Sequence, residues 1–172
     1  MICREPSKEE RTQINRALDK WGIFEFFMDK SILIHEVGER KMVCLATDTV
    51  LKAIRLAEPD LAGLAIGELK KQFMPSIAGA DLFARYGKKN KFYVAVNQKA
   101  ENLVAYGRDI MGDSILDASD SLQENELVIV LNTKLEAIGI GRTRFSGRLL
   151  LQKGKITISN LADVGYYLRE EG

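Results

Sequence analysis

The sequence predicts an α+β protein with an N-terminal α/β domain and a C-terminal domain of short strands that form a small antiparallel barrel or sandwich. Its 172 residues suffice for one domain or two small ones. Helical and strand periodicities alternate up to residue 90, whereas later strands are short, closely spaced and separated by glycine turns. Between these regions, residues 87–90 form a polar stretch without a large apolar side chain. We therefore expect domains over residues 1–90 and 91–172, the first with a mostly antiparallel sheet.

The first predicted element is an amphipathic helix over residues 8–20. Ser7 and Glu10 have the spacing of a capping box, in which each side chain bonds the backbone N–H of the other residue. Apolar side chains then recur at helical spacing up to Trp21. Gly22 is expected to end the helix, because glycine readily adopts a left-handed backbone conformation.

A β-hairpin is predicted next, with strands over 31–37 and 41–46 on either side of a turn that begins at Gly38. Asp48 is expected to cap the helix that follows. This helix should stop near Pro59, because proline cannot donate a backbone hydrogen bond and disfavours helix before it.

The remaining elements are predicted to be short. Pro75 restricts a strand over 72–78 to the edge of a sheet, and a helix follows over 80–86. In the second domain the strands are expected over 91–96, 114–118, 126–131, 136–145, 148–152 and 155–159, and the helices over 100–106 and 161–169.

Composition argues against several classes of protein. With 46% hydrophobic and 28% charged residues, the chain is typical of folded domains. No stretch reaches the roughly 18 apolar residues of a membrane span, and the N-terminus lacks the apolar region of a signal peptide. Cys3 and Cys44 are too few for a disulfide framework or a cysteine-based zinc site. We expect a soluble, cytoplasmic protein, nuclear or nucleolar in a eukaryote, without metal or cofactor.

The net charge of +1 hides a segregation of charge along the chain. Residues 109–126 carry six acidic side chains and no basic one, whereas residues 134–155 carry six basic side chains and one acidic. The basic residues of the second segment are Lys134, Arg142, Arg144, Arg148, Lys153 and Lys155.

The basic segment predicts a surface that binds a polyanion. Side chains two apart on a strand point to the same face, so Arg142 and Arg144 are expected to project together, in the row that starts at Glu136. The segment 153–155 is expected to form a hairpin tip with two ammonium groups, and the strand that leads into it carries Arg148. Arginine and lysine bind phosphates and release condensed counterions, so nucleic-acid binding is one interpretation. The other is a solvated strand face whose lysines discourage edge pairing.

Motifs for catalysis and metal binding are missing from the sequence. His35 is the only imidazole, and its apolar neighbours favour a packed or surface histidine over a general base. Gly139 and Gly141 lack the third glycine of a dinucleotide loop, so we expect them to permit close backbone packing. The segment 109–126 lacks the ligand alternation of a calcium loop. We therefore expect a protein that is not an enzyme.

The second domain also contains four tyrosines, Tyr93, Tyr106, Tyr166 and Tyr167. Their rings can either stack on unpaired bases or pack in the core. For Tyr106 and Tyr166 the helical neighbours favour core packing.

Several motifs resemble a known family. The segments AYGRDIM, ELVIVLN, EAIGIGRT and ADVGYYLRE, which begin at residues 105, 126, 136 and 162, are similar to a PUA domain (pseudouridine synthase and archaeosine transglycosylase). Upstream, VLKAIRLA and KFYVAVNQKAENLVAYG fit a pre-PUA domain joined directly to a PUA domain. The positions Ala162, Asp163, Val164, Gly165, Tyr167, Leu168 and Arg169 match the C-terminal pattern of the Nip-seven ribosome-biogenesis factors. The chain resembles an archaeal member of that family.

The resemblance implies a PUA-type small β-barrel with short helices, in a non-enzymatic factor that binds precursor rRNA during large ribosomal subunit biogenesis. RNA is then expected on the basic face of the second domain. Ribosome-assembly or RNA-processing proteins, such as the exosome, are expected on the first, and the chain is expected to be a monomer without membrane contact. The implied RNA-binding residues are Arg142, Arg144, Arg148, Lys153 and Lys155, to which we add Lys134 and Arg108.

Two other functions stay open from the sequence. One is an RNA-targeting module that assists an RNA-modifying enzyme, and the other is a protein-interaction adaptor with incidental basic residues. If the chain binds RNA, the acidic segment 109–126 is expected on the opposite surface. There it would repel RNA and fix its orientation, or dock a basic protein.

Overall fold

The computed structural model describes residues 2–57, 62–166 and 169. The chain divides into two units, Met1–Gly87 and Lys88–Gly172, and each unit has its own β-sheet. The mixed α and β composition agrees with the predicted α+β class. Within the described ranges, no helix combines the length and apolarity needed to span a bilayer.

The N-terminal unit is built on a five-stranded antiparallel sheet whose strands follow the chain order. The strands are β1 (Ile2–Arg4), β2 (Ser31–Val37), β3 (Arg40–Ala46), β4 (Leu64–Leu69) and β5 (Phe73–Pro75). The helices are α1 (Lys8–Lys20), α2 (Phe24–Phe27), α3 (Asp48–Ala57) and α4 (Ile77–Tyr86). Phe83 lies at the centre of the core, with ring centroids 6.3–6.5 Å from those of Trp21, Phe27 and Phe73.

The predicted capping box of α1 is confirmed. The backbone N–H of Glu10 donates to Ser7 Oγ at 3.3 Å, and the backbone N–H of Ser7 donates to the Glu10 carboxylate at 2.8 Å. Gly22 has the expected positive φ of 69°. The hairpin β2–β3 is also confirmed, and Pro75 lies on the edge strand β5.

Two helix starts in this unit differ from the prediction. Thr47 rather than Asp48 caps α3, because the backbone N–H of Val50 donates to Thr47 Oγ1 at 3.4 Å. Helix α4 begins earlier than predicted, because Ser76 Oγ accepts from the backbone N–H of Gly79 at 2.9 Å. Pro59, where α3 was expected to stop, lies outside the described residues.

The C-terminal unit is a curled, half-barrel sheet of six strands in the order β7-β11-β10-β9-β6-β8. The strands are β6 (Tyr93–Val96), β7 (Ile110–Met111), β8 (Ile115–Asp117), β9 (Leu127–Leu131), β10 (Ala137–Thr143) and β11 (Ile156–Asp163), and the helix is α5 (Gln98–Ala105). Only β6 and β9 pair in parallel among these described strands. Val104 of α5 packs with Val128, Ile138 and Ile158 of the sheet in one apolar core.

Gly139 and Gly141 of β10 permit the close packing that the sequence predicts. A Cβ atom at Gly139 would lie 3.1 Å from Val104 Cγ1, and one at Gly141 would lie 2.4 Å from Ile158 Cγ2. Any larger residue at 141 would require the Ile158 side chain to shift.

Two predictions in this unit are wrong. The expected strand 148–152 is a 3₁₀ turn, Gly147–Leu151, because Leu150 inserts fully into the core there. The expected helix 161–169 begins as strand, since β11 continues to Asp163, which is the ladder partner of Gly139. Tyr167 and Leu168 lie outside the described residues.

Candidate nucleic-acid interface

Most of the predicted RNA-binding residues lie at one end of the C-terminal sheet. Strands β10 and β11 are antiparallel, with Arg142 opposite Ser159, so the end of β10 lies beside the start of β11. Lys153 and Lys155 occupy the turn that leads into β11. We call this region the basic surface, and its residues are Arg108, Arg142, Arg144, Arg148, Lys153 and Lys155.

Lys134 does not belong to the basic surface. It lies in the turn between β9 and β10, at the other end of β10, and the seven residues of that strand span roughly 20 Å. Its surroundings are acidic, because the Asn132 side chain in the same turn donates to both Glu101 and Glu136. The basic segment 134–155 is therefore divided between two distant places in the fold.

Arg142 and Arg144 project to the same side of the sheet, as strand alternation predicts. Thr143 between them is buried, and its hydroxyl donates to the Gln123 carbonyl oxygen at 2.6 Å. The row of side chains that was expected to run along one face of the strand from Glu136 is interrupted by register shifts at 137–139 and 140–141. Ile138 therefore packs in the core. Only the end of the row forms a polar surface.

Three of the four arginines of the basic surface have a partner within the unit. Arg142 Nη1 donates to the Asn125 carbonyl oxygen at 3.0 Å. Arg144 donates from Nε to Ser159 Oγ and from Nη2 to Asp109 Oδ2, both at 2.7 Å. Arg148 Nε donates to Asp120 Oδ2 at 3.0 Å, in a pair whose side chains are 85% and 62% exposed.

The expected separation of acidic and basic surfaces is therefore wrong. Asp109 and Asp120, from the acidic segment, pair with Arg144 and Arg148, and Asp113 accepts a backbone N–H from Gly154 at 3.4 Å. The segregation of charge along the sequence is therefore lost in the fold, and the pairing of β7 with β11 brings Asp109 to Arg144. Sequence reasoning missed Asp109, Asp120 and Asn125 as partners of the arginines, because they are 17 to 35 residues distant and no local signal marks them.

Lys153 and Lys155 differ from the arginines. Within the described part of the chain, neither ammonium group has a carboxylate within 4.0 Å. Lys155 Nζ lies 6.0 Å from the centre of the Phe145 ring, and both lysines are exposed. Arg108, next to Asp109, is also exposed. These cations give the surface its uncompensated charge.

Apolar side chains accompany these cations. Met111 and Ile156 are ladder partners between β7 and β11, and both are partly exposed, as is Leu151 in the 3₁₀ turn. Surfaces of this kind can contact riboses and bases while cations contact the phosphates.

The tyrosines divide differently from the prediction. Tyr106 is 73% exposed and Tyr166 is 47% exposed, so core packing is wrong for both. Tyr106 is the residue that ends α5, just before the turn that leads into β7. Tyr93 is buried, and burial raises the pKa of its hydroxyl. Tyr167 lies outside the described residues.

Residues of the C-terminal motif make hydrogen bonds and tight packing contacts within the unit. The Asp163 side chain is 4% exposed and accepts two hydrogen bonds from Arg169, each of 2.9 Å. It also accepts from the Gly165 backbone N–H at 2.9 Å. A Cβ atom at Gly165 would lie 1.8 Å from the Ala105 carbonyl oxygen, so only glycine fits against α5. These motif residues hold the fold of the unit together.

His35 and Cys3 lie in the sheet of the N-terminal unit. His35 is fully buried, and its Nε2 lies 3.1 Å from the Ala62 carbonyl oxygen and 3.6 Å from Cys3 Sγ. Burial raises the pKa of the Cys3 thiol, the opposite of what a nucleophilic thiolate requires. Among the described residues, no group of three His, Cys, Asp or Glu side chains is placed to hold a metal ion.

Family models match both units of the chain. Residues 92–172 match the UPF0113 PUA domain, and residues 3–77 match the NIP7/UPF0113 pre-PUA domain. A UPF0113 protein of Archaeoglobus fulgidus is 35% identical over 173 residues, which cover 99% of this chain and 97% of that protein. A PUA domain indicates an RNA-related function, and the matched models do not describe an enzyme family.

Solved structures show the same fold over the whole chain. A conserved PUA domain protein from Thermoplasma acidophilum superposes with a TM-score of 0.70 at 16% identity. A hypothetical protein from Pyrococcus horikoshii superposes with a TM-score of 0.71, also at 16% identity. In both comparisons 99% of each chain is covered. At this identity the likeness concerns the fold alone.

Proposed function

The chain belongs to the UPF0113 family, with a pre-PUA domain followed by a PUA domain, and on that premise we propose that it binds RNA without catalysing a reaction. The observation that carries this proposal is the basic surface, where Lys153 and Lys155 project without a carboxylate partner in the described structure. Phosphates are the ligands that such cations attract most strongly in RNA.

The proposed binding mode combines charge with a small apolar area. Lys153 and Lys155 contact phosphates, while the arginines contribute guanidinium edges held in place by their partners. Met111 and Ile156 contact riboses or unpaired bases beside them. Such an arrangement suits single-stranded or irregular RNA, because its bases are accessible and its backbone adapts to the surface.

We also propose that the RNA is precursor rRNA and that the protein acts in biogenesis of the large ribosomal subunit. The resemblance to Nip-seven factors supports this role, together with the match of residues 3–77 to the NIP7/UPF0113 pre-PUA domain. Assembly or RNA-processing proteins would then dock on the N-terminal unit, where Met28 and Tyr86 are exposed.

Fluorescence anisotropy with a labelled 12-nucleotide single-stranded RNA tests the binding surface. We expect the full chain with K153Q/K155Q to bind about tenfold more weakly than wild type at 50 mM NaCl. The slope of log K against log salt should become shallower by about 1.4, since each phosphate contact contributes about 0.7.

The matched control is K99Q/K134Q, which removes the same charge from two exposed lysines of the same unit, in the first turn of α5 and in the β9–β10 turn beside it. It should change the affinity by less than about twofold, because screened charges far from the surface contribute little. Equal losses in the two variants would show that RNA does not bind at the basic surface.

Crosslinking of the protein to RNA in its own cells tests the proposed role. We expect the sequenced crosslinks to concentrate in precursor rRNA of the large subunit and to be lost with K153Q/K155Q. Crosslinks concentrated in another class of RNA would contradict the ribosomal assignment while leaving RNA binding intact.

A further inference from the structure

Two exposed arginines of the basic surface, Arg144 and Arg148, already hold carboxylates that belong to the protein itself. We propose that Asp109 and Asp120 compete with RNA phosphates for Arg144 and Arg148, and thereby limit how strongly the surface binds RNA through charge alone. This inference rests on the proposed function, and it assigns to the two carboxylates a role in setting affinity.

The geometry at Arg144 supports this role. One edge of its guanidinium is occupied, with Nε on Ser159 Oγ and Nη2 on Asp109 Oδ2. The second carboxylate oxygen, Asp109 Oδ1, accepts from the Asn160 backbone N–H at 2.9 Å. The backbone of β11 therefore fixes the carboxylate where a bound phosphate would meet the arginine, and its charge opposes that phosphate.

The pair of Arg148 and Asp120 repeats the arrangement at a more exposed place. Both side chains are mostly in water, where an ion pair contributes little to stability. A stabilising role therefore does not explain why Asp120, from a distant segment, lies on Arg148. Two of the four arginines of the basic surface are neutralised in this way, whereas Lys153 and Lys155 are not.

Fewer basic residues then contribute to counterion release than the surface contains. An arginine that must release its own carboxylate gains little from a phosphate, because one anion replaces another. Counterion release should then come mainly from the lysines, and the salt slope of wild type should be shallower than the number of basic residues implies. RNA that binds tightly must add base or ribose contacts.

The test compares D109N/D120N with D117N/E124Q in the full chain. Both pairs remove two negative charges from the same unit, but Asp117 and Glu124 are exposed and their side chains have no basic partner in the described structure. The probe is a labelled 12-nucleotide single-stranded RNA of mixed sequence, titrated between 50 and 200 mM NaCl. We expect D109N/D120N to bind about threefold to tenfold more tightly than the control and to steepen the salt slope by about one unit.

Equal affinities and salt slopes in the two variants would overturn the inference. Weaker binding by D109N/D120N would also overturn it, because the carboxylates would then position the arginines for RNA rather than compete with it. D120N alone repeats the comparison at a pair too exposed to affect folding, and thermal unfolding checks the double variant. If wild type itself binds no RNA and K153Q/K155Q changes nothing, the proposed function fails instead.

Discussion

Arginine–carboxylate contacts occur in both units, but water reaches them to very different extents. In the N-terminal unit, the Glu10 side chain is 11% exposed and accepts from Arg4 Nη1 at 2.7 Å, Arg4 Nη2 at 2.9 Å and Lys41 Nζ at 2.8 Å. On the basic surface, Asp120 meets Arg148 where both side chains are largely in water. The same kind of ion pair is therefore buried in one unit and exposed in the other.

Burial decides whether such a pair stabilises the fold or stays open to exchange. Removing one partner of a buried pair leaves the other charge without compensation, at a cost of several kcal/mol. An exposed pair can exchange its carboxylate for water or another anion at little cost. Glu10 and Asp163 therefore belong to the architecture of their units, whereas Asp109 and Asp120 lie where a ligand can compete with them.

The largest effect is expected from D163A. Asp163 is the acceptor for Arg169, Gly165 and the Asn160 side chain, so its loss leaves the buried Gly165 N–H and two partly buried donors without this partner. We expect the free energy of unfolding of the C-terminal unit to fall by about 3 kcal/mol. Urea unfolding, monitored by hydrogen exchange in β10 and β11, measures this loss of stability. An effect no larger than that of the exposed-site variant D117A would contradict the distinction by burial.

E10Q should have the next largest effect, about 1–2 kcal/mol at pH 7. The guanidinium of Arg4 holds the pKa of Glu10 well below its usual range, so the stabilisation is present at neutral pH and is lost as the pH falls below about 4.5. Wild type should therefore lose stability between pH 5 and 2 more steeply than E10Q. Trp21, the single tryptophan, is buried in this unit and reports its urea unfolding. Parallel pH profiles for the two proteins would be incompatible with this role, and E5Q at an exposed glutamate is the control.

D120N should have the smallest effect on stability. Because the pair with Arg148 is exposed, we expect the unfolding temperature to change by about 2 °C or less. Calorimetry checks this directly. A destabilisation as large as that of E10Q would mean that the exposed pair is part of the architecture, and the contrast between the two regions would be lost.

Local signals in the sequence predicted local structure well. The limits of α1 follow from Ser7, Glu10 and Gly22, which lie within or beside the helix, and the edge position of β5 follows from Pro75 alone. The 3₁₀ turn at Gly147–Leu151 was missed because its cause is tertiary, the insertion of Leu150 into a core built from distant strands.

The position of the candidate site in the fold was predicted in part for the same reason. Strand alternation and a glycine turn were enough to place Arg142, Arg144, Lys153 and Lys155 at one end of the sheet. The sequence could not show that Lys134 is separated from them by the length of β10. Nor could it show that Asp109 meets Arg144, because that contact depends on the pairing of β7 with β11.

Hydrogen exchange of the full chain with and without single-stranded RNA shows whether RNA binds at the basic surface. RNA on the basic surface should slow exchange at residues 142–159, which include the end of β10 and the turn before β11. Residues 132–136, in the turn around Lys134 at the other end of β10, should exchange unchanged. Protection at 132–136 without protection at 142–159 would contradict the account, because RNA would then contact the wrong end of the sheet.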